Sequence, residues 1–126
     1  MKSFITALVI AAVMVAGSIF YSAHLDDLSK EMAKDNEEIT RLINEEDYEK
    51  AREKVQELSD FVDEKKIALA TTMDHADLDK IEINLSELHG YVEGEMKTDS
   101  LARCKVLDVL FNHLPKNYKL KLENIL

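Results

Sequence analysis

The chain has 126 residues, a formal net charge of −9 and a single cysteine, Cys104. That length leaves room for one domain plus one targeting or membrane segment. The lone cysteine excludes an intrachain disulfide and multi-cysteine zinc or haem motifs, and the acidic balance repels nucleic acid and anionic headgroups alike.

Three Gly and one Pro are few for a fold that turns often. Leu, Ala, Glu and Lys dominate, so an all-α fold is expected. The first element is the uncharged run from Phe4 to Ala23, FITALVIAAVMVAGSIFYSA, 20 residues long. As a helix it spans ~30 Å, the thickness of a bilayer's hydrocarbon core.

A cleaved secretory signal has a shorter apolar run, about 7–15 residues, ending in a small-x-small site. Here a cut after Ala23 puts Tyr21 at the third position, and a cut after Gly17 leaves Ser18-Ile19-Phe20-Tyr21 as an apolar new terminus. The reading is therefore an uncleaved signal-anchor at residues 1–23 and an acidic helical bundle at residues 24–126. No cysteine near the end of the run permits lipoprotein processing.

Lys2 precedes the run and Lys30, Lys34 and Arg41 follow it, so a strict count of positive charge favours a cytoplasmic C-terminus. A long downstream domain is translocated largely regardless of charge. An extracytoplasmic domain on a single-pass cell-membrane protein is expected.

Leu25, Leu28, Met32, Ile39 and Leu42 follow at coiled-coil spacing, with Asp35 in the one missing slot. Nothing between Ser18 and Asn44 breaks a helix, so the anchor is expected to continue outward to a first hairpin at NEEDYEKA. Tyr48, Ala51, Val55, Leu58 and Val62 mark a second helix, and Leu69 and Met73 extend its stripe. Leu78, Ile81, Leu85, Leu88 and Val92 form a third series out of phase with it, which predicts a corner across MDHADLD.

The third helix is expected to end with Gly94 in the left-handed conformation, and Thr98 or Asp99 to cap a fourth. Leu101, Cys104, Val106, Leu107, Val109, Leu110, Phe111 and Leu114 give that helix a broad apolar face, and Pro115 is expected to stop it. The tail, with Tyr118, Leu120, Leu122, Ile125 and Leu126, is expected to lie back on the bundle as a strap or short helix. The fold is thus an N-terminal transmembrane helix continuing into an antiparallel bundle of about four helices.

The candidate sites concentrate in MDHADLDKIE. Counting from Asp74, an EF-hand needs Gly at position six and Glu at twelve, where this chain has Asp79 and Leu85. A helical zinc pair needs a second His at i+4 from His75, where Asp79 stands. Asp74, His75, Asp77 and Asp79 make at best a half-site for a divalent metal.

The same residues are explained more simply as helix-cap and first-turn groups at a corner, with Glu82 solvated. His89 and His113 lack the Glu-x-x-His pattern of di-metal bundles, His24 belongs to the membrane boundary, and Cys104 sits within an apolar face. No catalytic residue and no cofactor is assigned.

The MKSF start leading into one apolar helix, the middle NEEDYEKA, the phrase DHADLDKIEINLSEL and the closing LENIL together resemble the bacterial family known as domain of unknown function 4363. That resemblance implies a short single-anchor membrane protein and singles out Asp74, His75, Asp77, Asp79 and Ile81 as family-like positions. It brings no catalytic role. The expected function is that of a non-enzymatic interaction module, in contact with the bilayer and with another membrane protein or a second copy; the alternative is a divalent-metal-binding or sensing module.

Overall fold

A computed structural model describes residues 1–71 and 73–125, with side chains at residues 1–20, 24, 26–71 and 73–113. Among the described residues the chain is all-α. Five helices follow in order: α1 Lys2–Asn44, α2 Tyr48–Glu64, α3 Lys66–Ala70, α4 His75–Glu93 and α5 Lys97–Ile125. α1 runs unbroken from the apolar segment into the bundle, as the absence of helix breakers requires.

Four long helices close a ring in which α1 packs on α2 and α5, and α4 packs on α2 and α5. α1 and α2, and likewise α4 and α5, run antiparallel across tight turns, while α2 is joined to α4 through α3. The core is one cluster contributed by every helix: Met32, Ile39 and Ile43 from α1, Val55 and Leu58 from α2, Leu69 from α3, Ile81 and Leu88 from α4, Leu107 and Phe111 from α5, all with no exposed surface. Each such side chain contributes roughly 1.5–3 kcal/mol by leaving water.

The two turns at the far end of the bundle share one geometry. α1 closes with the Glu46 amide on the Ile43 carbonyl (3.0 Å) and the Asp47 amide on Leu42 (2.9 Å); α4 closes with Glu95 on Val92 (3.1 Å) and Met96 on Tyr91 (2.8 Å). Both are Schellman-type terminations, which need one left-handed residue. That residue is Glu46 (φ 59°) in one turn and Glu95 (φ 54°) in the other.

Gly94, expected to take this role, has φ −82°, because the helix runs one residue too far for it. Asp47 then caps α2, its carboxylate accepting from the Lys50 amide at 3.3 Å.

Other boundaries differ from the sequence expectation. The second helix ends at Glu64 rather than near Met73. Lys65 occupies the stripe position between Val62 and Leu69, and the path kinks there (φ −92°, ψ 6°) before α3 resumes. The fourth helix starts at Lys97, with the Met96 carbonyl accepting from Ser100 (2.9 Å), ahead of Thr98 and Asp99.

Pro115 does not stop α5, which continues to Ile125. A proline removes one helical hydrogen bond but does not forbid continuation when the freed carbonyl finds another donor. Within α5, Cys104, Leu107 and Phe111 are buried, whereas Val106 and Val109 of the expected apolar face are exposed. The expectations for Leu25, Leu114, Tyr118, Leu120, Leu122, Ile125 and Leu126 fall outside the described side chains.

Candidate functional site

The α1/α5 interface carries a buried polar seam. Ser29 and Asn36 are 3% and 2% exposed on α1, and Ser100 is fully buried on α5. The Ser29 hydroxyl donates to the Phe111 carbonyl, and Asn36 Nδ2 donates to the Cys104 carbonyl at 2.8 Å. Both contacts step by one heptad, outward along α1 and back along α5, so they fix the antiparallel register of the pair.

Asn36 Oδ1 and Ser100 Oγ are buried without a hydrogen-bond partner among the described residues. An unmet buried acceptor costs about 1–3 kcal/mol. The seam therefore selects one register at the expense of stability.

Beside this seam lies a groove of about 750 Å³ between α1 and α5, lined by Asn36, Thr40, Asn44, Cys104, Lys105 and Asp108 among others. Burial pushes the Cys104 thiol above its ordinary pKa, and a hydrogen bond with Thr40 opposes that only in part. A thiol held protonated in this way is the reverse of an activated nucleophile.

At the corner between α2 and α4, Asp74 is the N-cap residue of α4 in extended backbone, and its carbonyl accepts from the Asp77 and Leu78 amides (3.0 and 3.1 Å). His75 opens the helix exposed, Asp77 is half-buried in the first turn, and Asp79 is exposed a turn beyond His75. Leu78, between them, is 3% exposed in the core. Among the described residues no three His, Cys, Asp or Glu side chains converge on a point where an ion could sit.

Glu82 is not simply solvated: it pairs with Lys66 at 3.0 Å, tying α3 to α4, and the bond holds the Lys66 ammonium above its ordinary pKa. His89, half-buried, lies about four turns along α4 from His75, while His24 and His113 are exposed on other helices.

Asp35, the gap in the α1 stripe, pairs with Lys54 of α2 at 3.7 Å, and the same ammonium reaches Glu38 (3.5 Å) and Glu57 (3.2 Å). Its pKa is raised, first by the Glu57 hydrogen bond. At the far end Lys97 of α5 pairs with Glu46 across the two turns (3.7 Å). On the opposite seam Arg103 of α5 bonds Asn84 (3.0 Å) and Glu87 (3.1 Å) of α4.

The first part of α1, Lys2–Phe20, has a mean hydropathy of 2.3 and none of it is buried against the protein. Two of its three hydroxyls donate back into the helix, Thr6 to the Lys2 carbonyl (2.8 Å) and Ser18 to Met14 (3.0 Å). Those two hydroxyls are satisfied within the helix, without water.

The seam was missed by the sequence reading. A second heptad series on α1, Ser29, Asn36 and Ile43, was the available signal, hidden because two of its three members are polar.

No curated protein and no solved structure matches the chain. The profile of one family, Domain of unknown function (DUF4363), matches residues 19–125, from the last turn of the apolar run to the end of α5. The chain belongs to that family.

Proposed function

We propose that this protein is a single-pass, membrane-anchored helical module, with its bundle outside the cytoplasm, that acts by contact with another protein in the same membrane. The observation that carries this reading is the continuity of α1 from Lys2 to Asn44. Its first half is apolar and unburied, and its second half is a structural member of the bundle.

A helix shared in this way is a stiff stalk. It confines the bundle to a plane and raises the effective concentration of any partner there, so modest contact surfaces suffice. The protonated thiol and histidine-free lining of the α1/α5 groove favour contact over chemistry.

The test is crosslinking in native membranes followed by mass spectrometry, comparing the full chain with a form lacking residues 1–23. Among the described residues the first member of the core is Leu28, beyond the deletion. A specific membrane protein captured only by the anchored form is the expected result. The same capture by both forms would show that the anchor is dispensable, and no capture by either would remove the contact reading.

A further inference from the structure

We infer that the corner between α2 and α4 rests in the headgroup layer of the bilayer, with Ile67 entering the boundary between headgroups and acyl chains. This rests on the anchor reading of α1 given above and adds a second membrane contact to it.

α1 leaves the uncharged run at Ala23 and rises to Asn44; α2 descends, α4 rises and α5 descends again. The two Schellman turns are therefore at the far end and the α2/α4 corner is at the anchor end. Lys54 pairs with both Asp35 and Glu38, which sets α2 level with the middle of that stretch of α1.

Thirteen residues on, Ile67 then falls level with the two or three residues after Tyr21 in α1. The kink at Lys65 does not break this path: the Lys65 amide still reaches the Phe61 carbonyl (3.0 Å), and its own carbonyl accepts from Leu69 (2.9 Å). Ile67 therefore stands level with the end of the uncharged run at Ala23, within about 2 Å at 1.5 Å per residue. The polar layer of a bilayer is roughly 5–7 Å thick on each side.

Exposure distinguishes this position. Among the described side chains Ile67 is 83% exposed, more than any other large apolar one outside the apolar run except the initiator Met1. It sits on a helix whose Leu69 is fully buried, so the solvent-facing isoleucine is held in place by a packed neighbour. Lys65 and Lys66 flank it with stems long enough to keep their ammonium groups in the aqueous layer.

The surrounding carboxylates, Asp63, Glu64, Asp74, Asp77 and Asp79, outnumber the nearby lysines. The surface that fits is zwitterionic lipid, contacted through the apolar side chain rather than through charge.

The test uses the full chain in phosphatidylcholine vesicles carrying nitroxide-labelled lipid. A polarity-sensitive fluorophore is attached to a single introduced cysteine in a Cys104→Ala background. The sites are Ile67→Cys, Ile83→Cys, also apolar and exposed but farther along α4, and Val13→Cys in the apolar run; circular dichroism confirms that each remains helical.

The expected result is a blue shift and loss of most emission at 13 and 67, with almost none lost at 83. Quenching at 13 but not at 67 overturns the corner contact and leaves the anchor intact. No quenching at 13 removes the anchor reading and this inference with it. Quenching at 67 that grows when phosphatidylglycerol is added would show recognition by charge and overturn the apolar contact.

Discussion

The hydroxyl of Ser29 on α1 donates to the backbone carbonyl of Phe111 on α5, 82 residues away in sequence. That carbonyl lies four residues before Pro115, the position from which a helix would normally supply its amide donor. Proline has no N–H. A side chain from another helix therefore satisfies the carbonyl that proline chemistry leaves open, which explains how α5 passes Pro115 without stopping.

Ser29→Ala should lower stability by about 1–3 kcal/mol, the cost of a buried acceptor left unpaired. Pro115→Ala restores the amide, so the effect of Ser29→Ala in that background should shrink to well under half. Denaturant unfolding of the four-member cycle in micelles measures the coupling directly. Equal costs of Ser29→Ala in both backgrounds would show that the proline and the serine act independently.

The Asn36 side chain donates to the Cys104 carbonyl and buries Oδ1 without a partner among the described residues. Asn36→Leu should raise stability by about 1 kcal/mol, since a buried polar group at a helix interface costs stability while specifying register. The same variant should loosen the pairing of α1 with α5, read as faster hydrogen exchange at amides around Cys104. A clear loss of stability would mean that Oδ1 is satisfied in solution.

Glu46 and Glu95 each occupy the left-handed region, where an ordinary side chain costs roughly 1–2 kcal/mol relative to glycine. Glu95→Gly should raise the unfolding midpoint by an amount corresponding to about 0.5–1 kcal/mol after glycine's greater unfolded freedom is deducted. Glu46→Gly should gain slightly less because it also loses the exposed pair with Lys97. Thermal unfolding of the two single variants and the double tests both the sign and the additivity.

Burial raises the Cys104 thiol above its ordinary pKa, so the folded chain holds this proton more tightly than the unfolded chain. Its contribution to stability is fully present below the unfolded thiol's pKa and is lost as pH rises from there through the folded value. Alkylation of the native protein should be slow and should accelerate on denaturation. Cys104→Ala should flatten the alkaline part of the stability profile, and an unchanged slope would show that the thiol does not titrate differently in the two states.

The metal alternative has its own check. With His75 and Asp79 exposed on one face and no third ligand converging among the described residues, added zinc or calcium should leave the unfolding midpoint unmoved in the chain and in Asp77→Ala alike. A rise in the unaltered chain that Asp77→Ala abolishes would restore the corner as an ion site.

Much of the architecture was legible in the linear chain because it depends on local periodicity. The apolar run, its continuation to Asn44, the hairpin at Glu45–Asp47 and the phase break across MDHADLD all follow from which residues recur every three or four positions. The placement of Asp74 at the start of α4 was legible for the same reason, as a polar residue just ahead of an apolar series. Family membership was legible too, through phrases such as NEEDYEKA and DHADLDKIEINLSEL.

What only the tertiary structure decided concerns groups whose partners lie far along the chain. Pro115 reads as a stop until Ser29 is brought against Phe111. Asp35 reads as a gap in a stripe until Lys54 arrives from α2. Gly94 reads as the left-handed residue until the last turn of α4 consumes it and passes the strain to Glu95.

Ile67 reads as one apolar residue among several until Leu69 packs inward and leaves Ile67 on the outer face. Periodicity reports which face of a helix is apolar. The register between helices is set by a few long-range bonds that no local window contains, such as Ser29 on Phe111 and Asn36 on Cys104.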